Sequence, residues 1–154
     1  AGLTPMFFLK DLPSQQMVGT YAQAYGADPD HITSALLMMR RASLLIRSLD
    51  AFFAVHGLSQ LRFLVLIVID REPERASLTP NEIAQRIDVS KPVMTRTLQS
   101  LQKDGLITLS ASPSDGRSKE AALTADGLQR LQDTLPGYFK LLSGEMTQPS
   151  ATAG

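Results

Sequence analysis

The chain contains no cysteine. That excludes a disulfide framework, a thiolate metal site and a switch based on thiol oxidation. Its two histidines, His31 and His56, lie far apart and have no acidic partner at ligand spacing, so no metal is expected. No apolar run is long enough to span a bilayer. Met6-Phe7-Phe8-Leu9 is short, lacks a basic flank before it and is followed by Lys10-Asp11. It reads as a packing segment, not a signal peptide. The first residue is alanine rather than methionine, which fits processing or an incomplete chain. A Gly-rich phosphate loop is missing, and so is any Ser/His/Asp or paired-carboxylate arrangement with a supporting motif. No cofactor and no enzymatic activity are therefore expected. Excess charge is missing too: 15 basic and 15 acidic residues give a formal net charge of zero.

What remains is a chain of 154 residues, enough for one compact subunit. With 44% hydrophobic and 19% charged residues it is globular rather than disordered. The stretch from Leu78 to Thr124 is the most informative. Thr79-Pro80-Asn81-Glu82 is a capping box with proline at the first helical position. Ile83, Ala84 and Ile87 form the apolar face of that helix. After the short turn Asp88-Val89, Ser90 caps a second helix whose apolar residues are Val93, Leu98 and Leu101. Gly105 follows Asp104 where a left-handed residue ends a helix.

Beyond Gly105 the period changes. Leu106 to Leu109 and Glu120 to Leu123 are strand candidates. Between them Ser110 to Lys119 is rich in turn formers and carries Arg117 and Lys119 on an exposed tip. Thr124 then caps a helix through Leu128, Leu131 and Leu135. Two capped helices, a hairpin and a third helix make a winged helix-turn-helix. The second helix of such a motif sits in the major groove of DNA.

Charge distribution fits that reading better than the total does. From Arg86 to Lys119 there are six basic and three acidic residues, a net of +3. Residues 1–57 carry four of each sign, and the segment from Asp126 carries two basic and three acidic. His31 to His56 predicts one long helix without Gly or Pro. Its apolar face is wider than one small core would bury, which points to a second subunit. Residues 1–30 read as an irregular arm around a short helix near Ser14 to Tyr25. Phe63 to Ile69 suits a buried strand as well as a buried helix, and Arg71 to Ser77 reads as a charged loop. Gly144 to Gly154 has no helical pattern.

Gly57-Leu58-Ser59, Leu78-Thr79 to Ala84, Ser90 to Leu101, Asp104-Gly105-Leu106-Ile107, Ser114-Asp115-Gly116-Arg117 and Leu123-Thr124-Ala125-Asp126-Gly127 follow in an order and spacing that resembles the MarR family of bacterial transcription regulators. The resemblance spans roughly Ile32 to Leu142. It implies a mainly α fold with a small β-hairpin wing: a winged helix-turn-helix plus a helical dimerisation region. The expected organisation is an N-terminal arm and long dimerisation helix (1–57), a DNA-binding region (58–124) and a C-terminal dimerisation helix and tail (125–154). The resemblance also implies a helix after Ser59 and a cytoplasmic, bacterial homodimer with no membrane partner. That dimer would be a repressor reading a pseudo-palindromic operator in double-stranded DNA, released by a small organic effector. Ser90, Lys91, Pro92, Thr95, Arg96 and Lys103 would contact DNA from the recognition helix. Asp115, Arg117 and Lys119 would do so from the wing, with Asp115 fixing Arg117. Tyr21, Tyr25, Met39, Arg40 and Phe63 are candidate effector liners. Leu109 stands where the family usually has a basic residue, and Ser112-Pro113 where its wing begins Asp-Pro. With the zero net charge, Leu109 favours one alternative: a winged-helix protein-interaction module that does not read DNA sequence.

Overall fold

Caps set the helix starts. In the computed structural model, which describes residues 7, 9–111, 116 and 118–147, Ser14, Ser59 and Ser90 each accept a backbone N–H three residues on. The helices they open are α1 (Gln15–Tyr25), α3 (Gln60–Asp70) and α5 (Lys91–Lys103). Asp28 accepts from the Asp30 and His31 amides ahead of α2 (Pro29–Val55). Thr79 and Glu82 form the reciprocal capping box that opens α4 (Pro80–Arg86). Thr124 accepts from Gly127 N–H at the start of α6 (Ala125–Thr147). The strands are β1 (Ser77–Leu78), β2 (Ile107–Ala111) and β3 (Lys119–Leu123).

The open choice at Phe63 to Ile69 resolves as helix. Phe63, Val65, Leu66, Val68 and Ile69 are all buried on α3, so the apolar run reflects a central helix covered on most sides. Three expectations need correction. Ser77 is not loop but strand, because its backbone pairs antiparallel with β3 opposite Ala122. The helix expected after Thr124 does not stop before Gly144; α6 continues to Thr147, through Pro136. Packing carries it past the proline: Gly137 lies against the Phe52 ring and Tyr138 packs near Phe63, 4.6 Å between ring centroids. On α5 the buried residues are Met94, Thr97, Leu98 and Leu101, while Val93 is half-buried. Leu98 and Leu101 keep their expected place, and Met94, four residues before Leu98, takes that of Val93.

The chain divides into two compact units, Ala1–Ser48 and Leu49–Gly154. In the first, the described arm is pinned to α2 where the Phe7 amide donates to Ser43 Oγ (3.3 Å). The second holds the main core. β3 lies between β1 and β2, antiparallel to both. Leu66, Leu78, Ile83, Leu101, Leu106, Ile107 and Leu131 are fully buried around the sheet and helices α3 to α6. Phe53 stacks on Phe63 with centroids 4.7 Å apart, and Tyr138 closes the cluster.

One junction fixes the sheet to α6. Leu106 accepts the Thr124 amide (3.1 Å), and the Thr124 hydroxyl donates to the Gly105 carbonyl (2.6 Å). A Cβ on Gly127 would stand 1.9 Å from the Leu106 carbonyl oxygen. The Leu-Thr-x-x-Gly motif therefore has a local cause: threonine ties the helix start to the end of α5, and only glycine lets the backbones approach so closely.

Candidate nucleic-acid interface

The helix α5 is held by one side and open on the other. Met94, Leu98 and Leu101 are buried, and Thr97 satisfies its hydroxyl on the Val93 carbonyl (2.8 Å). On the open side Lys91, Pro92, Thr95, Arg96, Gln99, Gln102 and Lys103 are all exposed. Helical spacing of three and four residues aligns Pro92, Arg96, Gln99 and Lys103 in one stripe, with Lys91 and Thr95 beside it. Ser90 caps the helix, its oxygen 3.4 Å from the Val93 amide. Five expected contact residues on α5 thus share one exposed side, with the capping serine at its start.

The charges on this side are free to act. Lys91, Arg96 and Lys103 hold no ion pair among the described residues. By contrast, Arg86 pairs with Glu72 at 3.4 Å and Asp104 pairs with Arg62. The even charge of the whole chain therefore conceals a basic helix face whose acidic neighbour is already neutralised. Lys119 is not on the hairpin tip as expected: backbone pairing with Ala111 puts it, exposed, at the start of β3, and Ser110 and Ala111 likewise belong to β2. Asp115 and Arg117, and the ion pair expected between them, lie outside the described residues. Sequence reasoning passed over Gln99. Its signal was the spacing, four residues after Thr95 and three after Arg96.

Behind this face an ion-pair network braces α4 against the sheet. Arg75 donates to both carboxylate oxygens of Glu82 and lies 3.9 Å from Glu120. Ser77 donates its hydroxyl to Glu120 (3.0 Å). The Arg75 guanidinium, followed by the Thr79 amide, lowers the Glu82 pKa from 4.5 to about 2. The same pairing raises that of Arg75.

The candidate effector liners differ in burial. Tyr21 and Tyr25 are exposed on α1, Met39 and Arg40 are exposed on α2, and Phe63 is fully buried in the aromatic cluster of the second unit. Arg40 does border a cavity of about 330 Å³ with Phe7, Leu9, Lys10, Ser43, Leu44 and Arg47. Among the described residues no group of three His, Cys, Asp or Glu side chains is placed to hold a metal. No single helix among them is long and apolar enough to cross a membrane.

The sequence profile of the MarR family matches residues 56–118. The transcriptional repressor YetL of Bacillus subtilis (strain 168) is 30% identical over 140 residues, covering 90% of this chain and 83% of YetL. The chain belongs to the MarR family. Among solved structures it is similar to the transcriptional regulator MosR of M. tuberculosis in complex with DNA. That match has 30% identity and a TM-score of 0.60, over 70% of this chain and 76% of MosR. It is also similar to Sco3205, a MarR family regulator of Streptomyces coelicolor solved in complex with DNA. Identity there is 25% and the TM-score 0.64, over 68% of each chain. Among the described residues, six helices and a three-stranded sheet thus make the fold of a winged-helix, MarR-type transcription regulator, and the chain is not an enzyme.

Proposed function

We propose that two copies of this chain form a repressor that reads a pseudo-palindromic operator with the exposed side of α5. The observation that carries the reading is the row of exposed polar and basic side chains opposite the buried Met94, Thr97, Leu98 and Leu101. Lys91 and Lys103 suit phosphate oxygens. Arg96 and Gln99 suit base edges, since arginine pairs with guanine and glutamine with adenine in the major groove. Arg117 would follow the backbone from the wing. A two-fold dimer would place half-sites about one helical turn, ~34 Å, apart. Exposed Met38, Met39 and Leu44 on α2, and Phe139 and Met146 on α6, supply apolar surface for the second copy.

Release would come from a small organic anion. Lys10, Arg40 and Arg47 surround the cavity with positive charge, while Phe7, Leu9 and Leu44 offer apolar contact. That mixture suits a carboxylate on an apolar ring or chain.

The test is a salt series of binding isotherms on an operator selected from a random DNA pool and on random duplex. Arg96→Ala should cost about 1–3 kcal/mol on the operator and relax preference at particular base positions. Arg117→Ala should weaken both DNAs evenly and reduce the salt slope by about one unit for each phosphate left without a partner. If Arg96→Ala keeps wild-type affinity and preference, α5 is not the reader and a protein-interaction role takes its place.

A further inference from the structure

Two charged residues sit at the wrong ends of their own helices. Arg62 lies in the first turn of α3, where its backbone amide already donates to the Ser59 cap (3.2 Å). Helix N-termini favour anions. Asp104 is the C-terminal cap of α5, and helix C-termini favour cations. Each residue is locally disfavoured, yet they pair with each other through Arg62 Nη2 and Asp104 Oδ2. The Arg62 Nε is buried and meets no acceptor among the described residues. Local helix stability explains neither residue, so the reason lies in what the pair joins.

It joins three elements. The second amino group of Arg62 donates to the Gly57 carbonyl (3.1 Å), at the end of α2. Arg130 from α6 donates to the His56 carbonyl (3.2 Å) and lies 3.5 Å from that of Gly57. These carbonyls belong to the C-terminal end of α2, which has no further helical turn to satisfy them. Gly57 itself is left-handed, φ +68°, and a Cβ there would stand 2.7 Å from Arg130 Nη1. One guanidinium thus bridges the end of α2 and the end of α5.

We infer that Arg62 is a positioning residue that clamps the recognition helix to the end of α2. It sets the angle at which α5 is presented to DNA. The planar fork of arginine suits this, because it holds a carbonyl and a carboxylate at once, which a lysine ammonium on a flexible stem does less well. The inference rests on the operator-reading function for its DNA consequence, but the clamp itself is testable without DNA.

Two measurements decide it. The first compares selected operator with random duplex for wild type, Arg62→Ala, Asp104→Asn and the exchange Arg62→Asp with Asp104→Arg. Arg62→Ala should lose about tenfold on the operator, within the range for coupled groups in contact, and less than about twofold on random duplex. Asp104→Asn, at a half-exposed position that tolerates it, should move the same way, and it decides the matter if Arg62→Ala fails to fold. The exchange puts each charge at its favoured helix end. It should restore thermal stability but not operator affinity, since a carboxylate at position 62 cannot donate to the Gly57 carbonyl. A purely structural role predicts the opposite: both DNAs weakened together, and both rescued by the exchange.

The second uses the absence of cysteine. Cysteines introduced at the exposed positions Asp50 on α2 and Gln102 on α5 carry spin labels, in chains diluted into unlabelled protein. The wild-type distance distribution should be narrow, and Arg62→Ala should broaden or shift it. An unchanged distribution overturns the clamp, whatever the DNA results. If wild type does not discriminate operator from random duplex, the operator-reading function fails while the distance measurement still decides the clamp.

Discussion

The two units of the chain bury their apolar residues to very different extents. Between Leu49 and Thr147 the large side chains form a continuous core, with Phe53, Phe63, Leu101 and Leu131 fully buried. Among the described residues up to Ser48, only Val18, Ala22 and Ser43 are buried, while Met17, Tyr21, Tyr25, Met38, Met39 and Leu44 are exposed. The second unit buries a core of its own and leaves Val55, Phe139 and Met146 exposed. The first presents apolar surface of the kind that a partner covers. The difference separates residues that serve folding from residues left over for assembly, and substitutions can test each side.

The largest effect should come from Gly127→Ala. A Cβ there would fall 1.9 Å from a backbone carbonyl, and neither partner can yield by rotating a side chain. The substitution should cost more than about 3 kcal/mol, beyond ordinary overpacking, and leave no cooperative thermal transition above about 37 °C. A cooperative variant melting near wild type would show that the junction between β2 and α6 is not rigid.

Next comes a matched pair that sets core against surface. Phe63→Ala removes a ring buried between Phe53 and Tyr138 and should cost about 3–5 kcal/mol. Met38→Glu, on the exposed part of α2, should leave the fold intact but shift sedimentation equilibrium from twice the chain mass toward the monomer at micromolar protein. If Met38→Glu stays dimeric, this part of α2 is not the interface. If wild type is monomeric, the two-fold reading of DNA fails with it.

The same division governs what was legible in the residues alone. Caps at Thr79, Ser90 and Thr124 act over three residues, so those helix starts and the exposed side of α5 were legible, whereas the helix after Ser59 followed only from the family resemblance. Long-range pairing was not. Strand β1 has two residues and exists because β3 lies beside it. The continuation of α6 past Pro136 depends on Phe52 and Phe63, far away in sequence. The ion pairs of Arg62 with Asp104 and of Arg75 with Glu82 join segments whose spacing carries no local signal. On α5, by contrast, the spacing did carry the signal: Met94, four residues before Leu98 and seven before Leu101, is buried, and Val93 is half-buried.

The smallest effect belongs to the brace behind α4, and it has a sign that can be worked out. Glu82 has a folded pKa of about 2, below its ordinary 4.5, chiefly because Arg75 holds its ionised form. A depressed carboxylate pKa contributes stability that is fully present above the unfolded value. That contribution is lost as pH falls from about 4.5 toward about 2, as protons bind the unfolded chain first. Arg75 stays protonated throughout and adds no pH signature of its own. The pair is partly exposed, so screening keeps the effect small. Glu82→Gln keeps the size of the side chain and removes the charge. Its melting temperature should lie slightly below wild type at pH 7, with the gap closing through that acid window. Raising salt should also narrow the gap at pH 7. A gap that persists unchanged at pH 2 would assign the loss to the capping hydrogen bond with Thr79 rather than to the ion pair with Arg75.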